Sequence, residues 1–356
     1  MKGVGMGSWL TNYKRSKFLS EEEMGIISPG DWEHFESFYT EEDFRRVASW
    51  GMDHVRLPFD QVVIEEYDRP FHYRERGLEY LEKAFEWCRK AGLNVVLNLH
   101  HAVGAYCDNH ADELFRDPFL QERFIRLWEE LERRFPEEDC VFELLNEPPI
   151  TDAEPWNELA GRTIKRIHAI NPARRIMVGS VCWNNPCFLP QLKTYDDDRI
   201  VYCFHVYQPM EFTHQRFVAE KNLAIWNRVM PYPGDMERYR EYRRYFGLDE
   251  SDLAGLDRMD IRYLERVFEP AMQFIGNHPN DILCCNEFSV TTSAPLTDRE
   301  NWTGDVIRLC RKAGMGYAVW TYEHADYDYI HADLLDHKTK QIVSERMLKV
   351  IRGQEA

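Results

Sequence analysis

The chain has 356 residues, of which 44% are hydrophobic, and this length suits one α/β barrel of about 250 residues with insertions. Its 44 basic and 61 acidic side chains give a formal charge of −17, which argues against a nucleic-acid partner, because phosphates attract the opposite charge. No apolar run reaches the roughly 18 residues that a membrane span needs, so we expect no membrane partner.

Short apolar runs predict eight β-strands, because runs of this length are typical of strands buried on both faces. They cover residues 3–7, 54–58, 94–100, 140–146, 175–180, 199–207, 282–288 and 316–322. Amphipathic segments between them predict helices at 40–50, 75–92, 119–135, 156–170, 261–275 and 300–313. Strands that alternate with helices form a parallel sheet, and eight is the number that closes a barrel. We therefore predict a single (β/α)8 TIM barrel over residues 1–356.

One connection, residues 208–260, is much longer than the few residues usual for a barrel loop. It contains two predicted helices, 217–230 and 236–246, separated by the helix-breaking residues 231–234. We interpret this insertion after strand six as a lid subdomain on the catalytic rim. The alternative is an insertion that stabilises the barrel and does not contact substrate.

Two Asn-Glu dipeptides, Asn146-Glu147 and Asn286-Glu287, each close an apolar strand-like run. The C-terminal ends of barrel strands carry the chemistry of this fold, so both carboxylates are expected at one rim. Two carboxylates are the minimum equipment for hydrolysis of a glycosidic bond. The sequence therefore predicts a glycosidase.

Other polar and aromatic side chains stand at the remaining strand ends, and together they form a family pattern. The pattern consists of Arg56 in VRLP, His100 and His101 in LNLHH, Asn146 and Glu147 in LLNEP, His205 and Tyr207 in FHVY, Glu287 in CCNEF and Trp320 in AVWTY. In this order the residues resemble glycoside hydrolase family 5, especially small bacterial endoglucanases with a lid after strand six. The segment HVYQPMEFTHQ is close to that group's HxYxPxxFTHQ.

The resemblance implies a retaining mechanism in which Glu147 is the general acid/base and Glu287 the nucleophile. Arg56 and Tyr207 are expected to hold Glu287 ionised, and His205 to tune Glu147. Further expected contacts involve the sugar: Asn146 with the 2-hydroxyl, His100 and His101 with hydroxyls of the sugar beside the cleaved bond, and Trp320 beneath its ring.

The resemblance implies a substrate that is a β-1,4-linked or mixed-linkage β-glucan, cleaved internally. An exo-acting β-glucosidase and a β-mannanase stay open as alternatives, because the fold alone does not choose between glycans. A non-catalytic carbohydrate-binding barrel is the rival from another class. We expect no cofactor and no metal, because no carboxylate or cysteine completes a ligand set with the histidine pairs at a fitting spacing.

Several features leave alternatives open at this point. Nine cysteines, some inside apolar strands, favour buried reduced thiols and, without a leader segment, the cytoplasm; a secreted form whose leader was removed is the alternative. Subsite contacts are open for Trp9 and Asn12 after strand one, for Tyr106, Asp108 and Asn109 after strand three, and for the acidic and aromatic loop at 322–329.

Overall fold

A computed structural model describes residues 1–14, 18–136, 140–218, 220–325, 332–336 and 338–354. Its centre is a closed barrel of eight parallel strands in the neighbour order β1-β8-β7-β6-β5-β4-β3-β2. The strands are β1 Lys2–Gly5, β2 His54–Asp60, β3 Asn94–His101, β4 Cys140–Glu143, β5 Arg175–Gly179, β6 Ile200–Val206, β7 Ile282–Phe288 and β8 Gly316–Val319. The predicted (β/α)8 barrel is confirmed.

Helices connect the strands and cover the barrel. They are α1 Glu21–Gly25, α2 Pro29–Ser37, α3 Glu41–Ser49, α4 Gln61–Ile64, α5 Glu75–Ala91, α6 Pro118–Arg134, α7 Glu154–Ile170, α8 Val181–Asn184, α9 Met210–Thr213, α10 Lys221–Trp226, α11 Met236–Phe246, α12 Ile261–Asn277, α13 Leu296–Lys312 and α14 Glu345–Ile351. Local chemistry sets several ends: Gly92 ends α5 in the left-handed conformation at φ 71°, which glycine adopts without a Cβ clash.

The hydrophobic core lies mainly between the barrel and its helices. A second, small apolar cluster packs inside the barrel and consists of Val96, Met177, Val201, Cys203 and Cys284. Polar side chains also occupy the interior, because Arg56, Glu143 and Asn98 are completely buried. Buried charges require paired partners, and Arg56 is paired with Glu143.

The insertion after β6 has its own secondary structure, with helices α9, α10 and α11 and a ribbon that pairs Gly234–Asp235 with Arg258–Met259. The predicted helix at 217–230 is too long. Asn227 takes the left-handed conformation at φ 43° and ends α10. The insertion packs against α13, where the Tyr232 hydroxyl donates a 2.8 Å hydrogen bond to Asp305. Its role as a lid stays a prediction.

Two further sequence expectations concern thiols and membranes. The nine cysteines are all free thiols, and most are buried. None of the helices in the described part of the chain is long and apolar enough to span a membrane.

Candidate active site

The C-terminal ends of the barrel strands bring the predicted residues to one rim. Asn146 and Glu147 follow β4, which ends three residues earlier than predicted, and His205 and Glu287 lie within β6 and β7. Glu147 has φ 47°, a conformation that few non-glycine residues adopt and that is often found at functional sites. The chain therefore turns sharply at Glu147 as it leaves the strand.

Glu287 is held by two donors, one from β2 and one from the residue that follows β6. Its Oε1 accepts a 2.7 Å hydrogen bond from the Tyr207 hydroxyl, and its Oε2 accepts one from Nη1 of Arg56. Burial first, and then the negative charge of Glu287, raises the pKa of Tyr207 well above its usual range, so the phenol keeps its proton. Two donors and a fixed positive charge therefore hold the Glu287 carboxyl group in one orientation.

Arg56 is the centre of this hydrogen-bond network. Its Nε and Nη2 donate to the two oxygens of Glu143 at 2.8 Å each, and Nη2 also donates to Oδ1 of Asn146 at 2.7 Å. Burial by itself lowers the pKa of Arg56, but the charges of Glu143 and Glu287 outweigh it and raise the pKa above its ordinary value. Arg56 is thus permanently charged and fixed by three neighbours.

Glu147 has a different environment. Its Oε1 lies 2.8 Å from Nδ1 of His205, and its side chain is about 15% exposed. Burial lowers the pKa of His205 to about 4, while the charge of Glu287 raises it in part. His205 is therefore neutral near pH 7. The contact of Glu147 is thus with a neutral imidazole, whereas Glu287 contacts the charged guanidinium of Arg56.

The two glutamates lie close together. One oxygen of Glu147, one oxygen of Glu287 and a ring nitrogen of His205 are all within 4.8 Å of one another. Retaining glycosidases have carboxyl groups about 5–5.5 Å apart, whereas inverting ones need about 6.5–9.5 Å to admit a water. The separation suits direct attack by a carboxylate. The same three side chains could also hold a metal ion by geometry, but the nearby Arg56 charge opposes a cation.

Trp320 and His100 form one wall of the site. Their rings stack with centroids 5.6 Å apart and planes 9° apart. The indole lies directly over β1, since a Cβ at Gly5 would come within 2.6 Å of Trp320 and one at Gly7 within 2.8 Å. Burial and the neighbouring His101 lower the pKa of His100 well below its usual range, so the imidazole is neutral.

His101 lies beneath this wall and is completely buried. Its Nδ1 is 2.8 Å from Asp60, its Nε2 is 3.6 Å from Sγ of Cys107, and its ring stacks on Tyr106. Cys107 in turn accepts a 3.6 Å contact from Nδ2 of Asn146. The expected contact of His101 with a sugar hydroxyl stays a prediction.

Some residues near the site did not follow from the sequence. Asp60 and Cys107 contact His101, and Asn184 places Nδ2 3.1 Å from Nε2 of His205. Asp60 is the last residue of β2, and this position at a strand end is the sequence signal that could have identified it. Nothing in a single sequence singles out Asn184, because its placement depends on three left-handed residues in succession.

The sequence left open whether several residues contact the substrate, and the structure describes only some of them. Trp9 is a packing residue, since its ring is completely buried and Nε1 donates to the carbonyl of Phe35 at 2.7 Å. Tyr106 is likewise fully buried. Contacts of Asn12 and Asn109 with substrate stay predictions. The side chain of Asp108 and residues 326–329 of the loop after β8 lie outside the described residues.

The similarity of this chain to known proteins shows which family it belongs to. A model of the family described as cellulase (glycosyl hydrolase family 5) matches residues 20–326. The chain belongs to glycosyl hydrolase family 5. It is therefore a glycoside hydrolase, and its paired glutamates suit the retaining chemistry that the resemblance implied.

Relatives of this family 5 enzyme match it over nearly the whole length. Endoglucanase C of Acetivibrio thermocellus is 34% identical over 98% of this chain and 97% of its own. Cellodextrinase A of Ruminococcus flavefaciens is 31% identical over 88% of this chain and 83% of its own.

Solved structures share the fold of this family 5 enzyme. Endoglucanase Cel5A of Thermotoga maritima aligns with a TM-score of 0.72 at 22% identity, covering 98% of this chain and 96% of its own. The cellulose synthase subunit Z of Clostridioides difficile aligns with a TM-score of 0.73 at 23% identity, covering 98% of each chain.

Proposed function

We propose that this enzyme cleaves β-1,4-linked or mixed-linkage β-glucan internally, with Glu287 as nucleophile and Glu147 as general acid/base. The observation that carries the proposal is the 4.8 Å cluster of Glu147, His205 and Glu287, in which Glu287 is bound by Arg56 and Glu147 contacts His205. A retaining site needs one ionised carboxylate and one protonated carboxylic acid, and the two environments differ in that sense. The endoglucanase name of a full-length relative supports the glucan substrate.

In the first step, an oxygen of Glu287 attacks the anomeric carbon while Glu147 gives its proton to the departing glycosidic oxygen. The negative charge of Glu287 raises the proton affinity of Glu147 before attack. Once Glu287 is glycosylated, that charge is gone and Glu147 becomes a better base. It then deprotonates the water that releases the sugar.

Neighbouring residues bind the sugar whose bond is cleaved. Asn146 is proposed to bind the 2-hydroxyl, because its Oδ1 is fixed by Arg56 and its Nδ2 points toward Cys107 with a hydrogen to spare. Trp320 offers an apolar face for the sugar ring, and His100 offers a hydroxyl contact beside it. His101 is proposed to support His100 from below.

The test is the product profile from mixed-linkage β-glucan, sampled early and separated by chain length. Internal cleavage predicts a ladder of tri- and tetrasaccharides from the first time points. Monosaccharide alone from the start would replace this proposal with the exo-acting alternative, and the cellodextrinase relative makes short oligosaccharides a useful second substrate. β-Mannan serves as the comparison glycan, and faster turnover of mannan would overturn the glucan assignment.

A matched pair of variants distinguishes the activity of this enzyme from that of a contaminating glycosidase. Glu287→Gln keeps the shape but removes the nucleophile, so turnover is expected to fall by about a thousandfold or more. Glu79→Gln makes the same change at an exposed position of α5 and is expected to keep full turnover. Wild-type turnover by the Glu287→Gln variant would refute the nucleophile assignment.

The cellular compartment, which we expect to be the cytoplasm, stays a prediction.

A further inference from the structure

His205 contacts Glu147 with one ring nitrogen and Asn184 with the other, and these two contacts bear on where its proton lies. Nδ1 is 2.8 Å from Oε1 of Glu147, and Nε2 is 3.1 Å from Nδ2 of Asn184. A neutral imidazole has one nitrogen that donates and one that accepts, and an amide NH2 can only donate. Nε2 must therefore accept from Asn184. The single proton then resides on Nδ1 and is donated to Glu147.

The chain is built so that Asn184 reaches this place. Cys182, Trp183 and Asn184 have φ angles of 54°, 58° and 52°, a run of left-handed residues without glycine. Residues other than glycine rarely adopt this conformation because it brings the Cβ close to the backbone, so the surroundings must hold the turn. Gly179 provides the space, because a Cβ there would lie 2.5 Å from Oδ1 of Asn184. The amide itself is completely buried.

We propose that Asn184 is a positioning residue for the acid step, holding the His205 proton on Nδ1 and thereby the Glu147 proton on Oε2. Oε1 of Glu147 is occupied as an acceptor, so a protonated Glu147 carries its hydrogen on the other oxygen. That proton passes to the glycosidic oxygen as the C–O bond breaks, and the bonding electron pair stays on the leaving oxygen. His205 remains neutral throughout. The inference rests on the proposed role of Glu147.

The opposite tautomer would be unproductive. A bare Nδ1 would accept the proton from Oε1 of Glu147 and hold it away from the substrate. The charged groups around His205 are Glu147, Glu287, Glu143 and Arg56, and burial leaves the ring neutral at working pH. The Asn286 side chain is a second hydrogen-bonding neighbour of the ring, and Asn184 is the amide whose NH2 group contacts Nε2 and selects between the two neutral forms.

The direct test is ¹⁵N NMR of histidine-labelled protein, with the His205 signals assigned by their loss in a His205→Asn variant. The wild-type enzyme is expected to show a protonated Nδ1 and a bare Nε2. Asn184→Asp keeps the shape but replaces the donor by an acceptor, so the proton is expected to move to Nε2. A wild-type ring protonated on Nε2 would overturn the proposal without any variant.

Kinetics provide the second test. For Asn184→Asp we expect kcat/KM to fall about a hundredfold on cellotetraose, whose leaving group needs a proton, because general-acid catalysis contributes at least that much. On 2,4-dinitrophenyl β-cellobioside, whose leaving group needs none, the loss is expected to stay below about threefold. Equal losses on both substrates would indicate a merely structural role and contradict the proposal.

The neighbouring asparagine supplies the control. Oδ1 of Asn185 accepts a 2.9 Å hydrogen bond from the backbone N–H of Cys187, and an aspartate would keep that acceptor. Asn185→Asp is therefore expected to change neither the NMR signals nor the ratio of the two substrates. If Glu147→Ala shows no dependence on the leaving group, the role of Glu147 fails, while the NMR result on Asn184 still stands or falls by itself.

Discussion

At the level of single residues, the two glutamates differ in what surrounds them more than in where they lie. Glu287 receives hydrogen bonds from Arg56 and Tyr207, whereas Glu147 contacts a histidine whose pKa is lowered to about 4. Two donors and a fixed positive charge thus surround one carboxyl group, whereas a neutral imidazole contacts the other, and a retaining mechanism requires two different environments of this kind. This difference in environment supports the opposite roles that we propose for the two glutamates.

Removing the carboxyl group of Glu147 should separate the two steps of the reaction. Glu147→Ala is expected to lower kcat/KM on cellotetraose by about a thousandfold, because the leaving alkoxide then departs without a proton. The loss on an activated aryl cellobioside should be about tenfold or less in the first step. Parallel measurement on both substrates tests this, and equal losses would count against the acid/base role.

At the level of secondary-structure elements, most of the features that could be predicted from the sequence lie at the ends of the strands. Apolar runs and the polar residues that close them are visible in the sequence, so β7 was predicted with its observed bounds, 282–288. Helices α1 and α2 were missed, although Ser20 with Glu23 and Ser28 with Asp31 form capping boxes that signal both. The predicted helix 217–230 was too long, because the left-handed Asn227 has no signal in hydrophobic periodicity.

At the functional site, too, residues on or near strands could be predicted from the sequence, whereas a residue in an unusual turn could not. Glu147, His205, Tyr207 and Glu287 could be predicted because strand ends meet at one rim, whereas Arg56 lies within β2 and followed from the family resemblance. The left-handed turn that carries Asn184 could not, since three consecutive non-glycine residues oppose their own local preference there. Such a turn exists only because the packing around it compensates.

We expect a buried ion pair to stabilise the insertion, and its contribution can be measured. Nε of Arg243 donates to Glu211 at 2.8 Å, and both side chains are largely buried. Arg243→Ala leaves Glu211 without this partner, so we expect the free energy of unfolding to fall by about 3 kcal/mol. Urea unfolding measures the loss, and hydrogen exchange should locate it in residues 208–260.

The next arginine of α11 is the control for this prediction. Arg244 pairs with Glu237, but both side chains are more than half exposed, at 53% and 60%. Arg244→Ala is therefore expected to change stability by no more than about 0.5 kcal/mol. Equal effects of the two variants would show that the ion pair of Arg243 contributes no more than a surface contact.

At the level of the whole molecule, buried neutral histidines couple folding to pH. Burial lowers the pKa of His205 to about 4 and that of His100 well below its usual range, while an unfolded histidine titrates near 6.5. Below pH 6.5 the unfolded chain binds these protons and the folded chain does not. Stability is therefore complete above pH 6.5 and is lost as the pH falls toward 4.

The expected contribution of His205 is about 3 kcal/mol across this window. Urea unfolding at several pH values between 7 and 4.5 should show the free energy of unfolding decreasing in the wild type. The decrease should be smaller in His205→Asn and unchanged in His72→Asn, because His72 is exposed. A stability that stays constant or rises over this range in the wild type would contradict the neutral buried state.

The central claim is that Glu287 forms a covalent bond to the sugar. A cellobioside that has fluorine in place of the 2-hydroxyl and an activated leaving group forms the glycosyl-enzyme but releases it slowly, since fluorine disfavours the positive charge of both transition states. Mass spectrometry should show one added disaccharide, and peptide mapping should place it on Glu287. A label on Glu147, or no label together with products of inverted configuration, would contradict the account.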